Sequence, residues 1–268
     1  MFIFLILFFV FGLIIGSFLN VLIYRLENKK RKTLWGRSFC PHCEKRIEWY
    51  DNIPVVSFLF LGGKCRHCKK KISIQYPLVE LTTGFLFALL FVIPNGAMAE
   101  LGNPFAYINL IFWFFFASCL MVVFVYDLKH QIIPDQVIYT ALITGFLYVS
   151  MQFALLGDFK YLADHLSSAL IAGGFFYILA AISNGKWMGG GDIKLVSFMG
   201  LVLGWQGTVI SLYVAFVLGA IMGVILLISK KKKFGSKIPF GPFLIIGNFI
   251  GLFFGEQLIN FYVKMFLS

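Results

Sequence analysis

The chain has 268 residues, 60% of them hydrophobic and only 13% charged, with a mean hydropathy of +0.88. A soluble domain of this size could not bury so much apolar surface, which excludes a water-soluble globular protein and leaves an all-α, polytopic membrane bundle. The net charge of +11 is uneven: 13 of the 23 Lys and Arg residues fall between Arg25 and Lys71, and Lys230 to Lys233 with Lys237 add five more.

A membrane-crossing helix needs about 20 apolar residues. Candidate segments run near 2–24, 77–93, 105–126, 136–156, 166–183, 193–204, 207–229 and 241–263, about eight in all. The first is too long for a signal peptide and lacks both a basic n-region and a small-residue cleavage site, so it is expected to be a span. The sixth is too short to cross unless the glycine turn before it sits below the membrane surface, in a protein-lined cavity. Both basic clusters are expected to be cytoplasmic, which puts the N-terminus outside. The loops near 94–104 and 157–165, poor in Lys and Arg, then lie outside with Asp158 and Asp164. Basic clusters with no stacking platform point to anionic lipid headgroups and not to nucleic acid. Three regions follow: a first span at 1–24, a cytoplasmic loop domain at 25–76, and a bundle at 77–268.

Within the loop, Cys40-Pro41-His42-Cys43 and Cys65-Arg66-His67-Cys68 are two Cys-x-x-Cys pairs separated by 21 residues. Two such knuckles closing on one tetrahedral zinc is the expected arrangement, about one ion per chain. In a reducing compartment a disulfide framework is disfavoured. Four thiolates leave no open ligand position, so the metal is structural and supplies folding energy that a loop with few aliphatic residues cannot find elsewhere.

Two carboxylates stand at the ends of apolar segments. Asp127 closes the third, where a helix C-terminus disfavours negative charge. Asp192 follows Gly189-Gly190-Gly191, a run that permits positive φ and close approach of another chain. Ionisable groups near hydrocarbon usually line water-filled functional cavities. Two carboxylates close together share a proton, so that one acts as base and the other as acid on a water attacking a peptide carbonyl. Asp135 after Pro134, and Lys194, are expected to support the turn.

With these residues in hand the chain resembles the type IV prepilin peptidases, bacterial membrane enzymes of the Gly-x-Gly-Asp aspartic protease group. The resemblance rests on Ile15-Gly16-Ser17-Phe18-Leu19-Asn20-Val21 with Tyr24-Arg25, the four loop cysteines, Trp49-Tyr50-Asp51-Asn52-Ile53-Pro54, and Tyr76-Pro77-Leu78-Val79-Glu80. It continues through Asp127 with Ile133-Pro134-Asp135 and Gly189 to Leu195. It implies a bifunctional enzyme of the bacterial cytoplasmic membrane. Asp127 and Asp192 would cut the basic leader from prepilins and pseudopilins after a glycine. The new N-terminal residue would then be methylated with S-adenosylmethionine, a step associated with the cytoplasmic N-terminal half. Asn20, Arg25, Asp51, Asn52 and Glu80 are candidates for contact with substrate or methyl donor. An ion-coupled transporter with intramembrane aspartates is the alternative reading, and it lacks an internal repeat relating the two halves.

Overall fold

The structure is a computed structural model that describes residues 2–27, 38–92, 104–230 and 238–266. Part of the first basic cluster, Lys231 to Lys237 of the second, and nearly all of the loop near 94–104 lie outside the described residues. Among the described residues there are eight α-helices and no strand, only two isolated bridges. They are α1 (Phe2–Glu27), α2 (Val56–Phe60), α3 (Gln75–Val92), α4 (Pro104–His130), α5 (Asp135–Leu156), α6 (Phe159–Ile182), α7 (Gly190–Ile228) and α8 (Gly241–Phe266). All except α2 are long and apolar enough to cross a membrane, giving seven candidate spans.

Seven stand where about eight are expected because α7, 39 residues long, joins the sixth and seventh segments, two helices that meet at the non-helical Gly204. Gly204 has φ +65°, which an L side chain rarely adopts. The break is stitched by side chains of α6: the Asp164 carboxylate accepts from the Trp205 N–H (3.2 Å), His165 Nδ1 lies 2.8 Å from the Leu201 carbonyl, and the Trp205 indole donates to Ser167 (2.9 Å). Asp164 thus caps the second half of α7, as a short polar side chain does at any helix start. The α6 helix also begins earlier than its apolar run, at Phe159, because Asp158 caps it through the Lys160 N–H (2.8 Å).

The chain divides into two compact units, Met1–Val122 and Val123–Ser268. In the first, α1 and α3 pack backbone to backbone. A side chain at Gly12 would meet the Gly84 Cα at 2.7 Å, and one at Gly16 the Glu80 Cα at 2.7 Å. Small residues four apart permit this approach, the usual device where lipid removes any hydrophobic drive between helices. Phe114 of α4 stacks on Phe87 of α3 (centroids 4.2 Å apart) and touches Phe8 and Phe11 of α1. In the second unit α7 packs against α5, α6 and α8. Glycines again set the spacing, with Gly247 and Gly251 of α8 lying on Ser211 and Gly207 of α7.

Candidate active site and metal cluster

The last turn of α4 carries Asp127, whose carbonyl accepts from the Gln131 N–H (2.8 Å). Gln131 takes φ +55°, a left-handed stop that turns the chain out of the helix. The short connection then places Ile133 in the interior, and Pro134 starts α5.

Ile133 meets Gly191. A Cβ on Gly191 would lie 2.8 Å from the Ile133 Cβ, whereas one on Gly190 would have nothing within 4 Å. Gly189 has φ −82°, and none of the three glycines takes a positive φ. The sequence-based reason for the run therefore needs correcting: close approach by this chain's own Ile133 requires glycine at 191, and backbone handedness does not. The Gly189 N–H donates to the Asp192 carboxylate (3.1 Å), so Asp192 caps the helix it belongs to.

A second tie joins the two aspartate blocks. Lys194 Nζ lies 2.6 Å from Asp135 Oδ1 and 4.5 Å above the Tyr139 ring. Lys194 is thereby committed to Asp135. With α4, α5 and α7 fixed in this way, Asp127 and Asp192 come within reach of each other's charge. Asp127 is 4% exposed, and its Oδ2 has no hydrogen-bond partner among the described residues. One neighbour was not foreseen: Gly241, at the start of α8, abuts the Asp127 carboxylate, and a Cβ there would lie 2.5 Å from Oδ2. The available signal was Gly241-Pro242 opening an apolar segment, since proline favours a helix's first turn.

The cysteine loop belongs to the first unit. Cys40, Cys43, Cys65 and Cys68 bring their sulfurs within 4.8 Å of one another, and no disulfide joins them. The Cys40 and Cys68 sulfurs are 3.9 Å apart, against about 3.8 Å for two thiolates on a tetrahedral zinc with 2.3 Å bonds. The two knuckles are copies of each other. In each, the first cysteine's N–H bonds a carbonyl five residues on (Lys45 and Lys70), and the residue after the second cysteine, Glu44 or Lys69, takes a positive φ and bonds back. Backbone N–H groups of Cys68 and His67 bring the Cys65 thiol down to about 7, towards the thiolate that binds metal. The Lys45 N–H acts in the same sense on Cys43, but burial and the adjacent Cys40 and Cys68 thiols together carry it up to about 11. The cluster is suited to hold a metal ion.

The remaining candidates are drawn into contacts within this unit. Asn20 is buried and donates to the Tyr76 carbonyl (3.0 Å). Glu80 is buried and accepts from the Val55 N–H (2.8 Å), which holds the strained Val55 backbone at φ +61°. Asp51 accepts from Nε and Nη2 of Arg66 (2.6 to 3.1 Å), and that ion pair holds its carboxyl below the usual range. Asn52 ends the 3₁₀ turn Trp49–Asn52, and Arg25 sits in the last turn of α1.

Two family models match: the Bacterial Peptidase A24 N-terminal domain over residues 10–93 and the Type IV leader peptidase family over residues 114–224. Among curated proteins, the chain is 36% identical to one from Pectobacterium carotovorum subsp. carotovorum (91% of this chain, 90% of that protein). It is 33% identical to proteins from Aeromonas hydrophila (97% and 93%) and Vibrio cholerae (96% and 99%). Each of these is named a prepilin leader peptidase/N-methyltransferase. No solved structure matches. Similarity of this order along nearly the whole chain, together with both domain matches, makes the chain a member of the type IV leader peptidase family.

Proposed function

We propose that the chain is a bifunctional enzyme of the bacterial cytoplasmic membrane. It hydrolyses the peptide bond after a glycine in the basic leader of prepilins and pseudopilins, then methylates the new N-terminal amine. The observation that supports the peptidase reading is that Asp127 and Asp192, from α4 and α7 of one unit, lie within reach of each other's charge. In the ground state one carboxyl holds the shared proton and the other is ionised. The ionised group takes a proton from water as that water adds to the scissile carbonyl, and the protonated group supplies its own to the carbonyl oxygen. Collapse of the tetrahedral intermediate returns a proton to the departing amine, leaving the leader's C-terminal carboxylate and the free pilin N-terminus. The substrate helix lies in the same bilayer, so enzyme and substrate meet laterally. The aspartates and the cysteine loop face the cytoplasm and the N-terminus lies outside, as the basic clusters require.

Zinc is the metal that four thiolates at this spacing fit, held by Cys40, Cys43, Cys65 and Cys68. It closes the loop domain and takes no part in hydrolysis. The relatives' names support S-adenosylmethionine as methyl donor. Asn20, Glu80 and Asp51, with Arg25 and Asn52, remain the candidates for contact with substrate or methyl donor, and the first three also make contacts within the first unit. A transporter would need no leader-peptidase relatives, and the comparisons do not favour one.

The test is incubation of the detergent-solubilised protein with a prepilin carrying a basic leader, with and without S-adenosylmethionine, followed by mass spectrometry of the product. Cleavage after glycine is expected in both samples and methylation only with the donor. An intact prepilin in both samples would overturn the proposal.

A further inference from the structure

Asp127 occupies an awkward place: it lies in the last turn of α4, where the helix presents partial negative charge. It is buried, and its Oδ2 has no hydrogen-bond partner among the described residues. What lies against it is the start of another helix. A Cβ on Gly241 would stand 2.5 Å from Asp127 Oδ2, closer than real Cβ atoms come, and 3.2 Å from its Cγ. The Gly241 amide faces the carboxylate. Beyond it, Pro242 has no N–H, and the Phe243 and Leu244 amides are already bonded to the Phe240 carbonyl (3.0 and 3.1 Å). The partial positive charge at the beginning of α8 is thus offered to Asp127 through Gly241.

This helix start is not free to move. Phe240 is wedged between Phe216 (centroids 5.3 Å apart) and Phe176 (6.4 Å). Further along, Gly247 and Gly251 seat α8 on α7 at Ser211 and Gly207. The part of α7 beyond Gly204 therefore fixes the helix start that receives Asp127, while Asp192 lies in the part before Gly204. The two acids are treated alike, each at a helix N-terminus, Asp192 at that of α7 and Asp127 at that of α8.

We infer that Gly241 is a positioning residue of the peptidase centre, its side-chain-free backbone seating the Asp127 carboxylate at the start of α8 in the orientation that faces Asp192. The inference rests on the proposed aspartate pair. No larger residue can serve at 241, because any Cβ displaces the carboxylate itself.

The test is a double-mutant cycle on the full-length protein, read by thermal unfolding and by steady-state cleavage of a prepilin. Gly241→Ala is expected to lower kcat at least 100-fold with KM within about twofold, and to lower the unfolding midpoint. Combining it with Asp127→Ala, which makes room for the new methyl group, should restore most of that midpoint, even if Gly241→Ala alone fails to fold. Gly247→Ala, which collides with the Ser211 backbone, should also lower the midpoint, without any relief from Asp127→Ala. Wild-type cleavage by Asp127→Ala would sink the aspartate pair itself. An inactive Asp127→Ala combined with wild-type kcat in Gly241→Ala, or a midpoint loss that Asp127→Ala does not relieve, would overturn the role of Gly241 alone.

Discussion

At the scale of single residues, adjacent glycines carry different constraints. Gly191 is pressed against Ile133, whereas Gly190 faces open space. Gly191→Ala should therefore cost about 1 to 3 kcal/mol through overpacking and shift Asp192 enough to lower cleavage. Gly190→Ala should leave activity intact and gain up to about 1 kcal/mol from helix propensity. Chemical denaturation and kcat of the two variants check this, and equal losses from both would contradict the contact. The triplet marks the site in the sequence, but which glycine matters does not, because the neighbour that decides it lies 58 positions away. Gly241 was missed for the same reason, since nothing local links it to Asp127.

At the scale of elements, the break in α7 was half legible. The run Gly204-Trp205-Gln206-Gly207 divides the apolar pattern into two segments, and the junction between them is held by Asp164, His165 and Ser167 from α6. Reading the stretch before residue 166 as loop left Asp164 and His165 unplaced. Asp164→Ala should destabilise by about 0.5 to 2 kcal/mol, the usual loss for a helix cap, while retaining cleavage. Loss of cleavage in a folded, inserted Asp164→Ala would point to a third acid in the chemistry. The clustering of the four loop cysteines was legible from their spacing, because a tetrahedral metal site is dictated by four residues and little else. Its fold should depend on the ion: zinc-finger peptides draw about 10 to 16 kcal/mol from zinc. Chelation should therefore release hydrogen-exchange protection at the Cys40, Cys65 and Ile72 amides and leave that of α5 to α8 unchanged. Protection that survives in protein shown to be metal-free would contradict a structural metal.

At the scale of the whole molecule, hydropathy identifies the membrane class and nearly every span, since lipid demands long apolar helices and little else satisfies their backbone. It says nothing of which helix ends meet. That information lies in glycine contacts, the Ile133 turn and the Lys194 to Asp135 pair, each joining residues far apart in sequence. The resemblance to a known family pointed to Asp127 and Asp192 before any geometry. The structure adds the surroundings of each: Gly241 at the start of α8 against Asp127, and the Gly189 N–H on Asp192.

The most direct test is steady-state cleavage of a prepilin by Asp127→Asn, Asp192→Asn and the double variant, each verified as folded. Groups that act as one unit lose function together. Each single change is therefore expected to lower kcat by roughly 10³-fold or more, with the double variant no worse than either single. A single variant that keeps a substantial part of wild-type turnover, or losses that simply multiply in the double, would contradict a shared carboxylate pair.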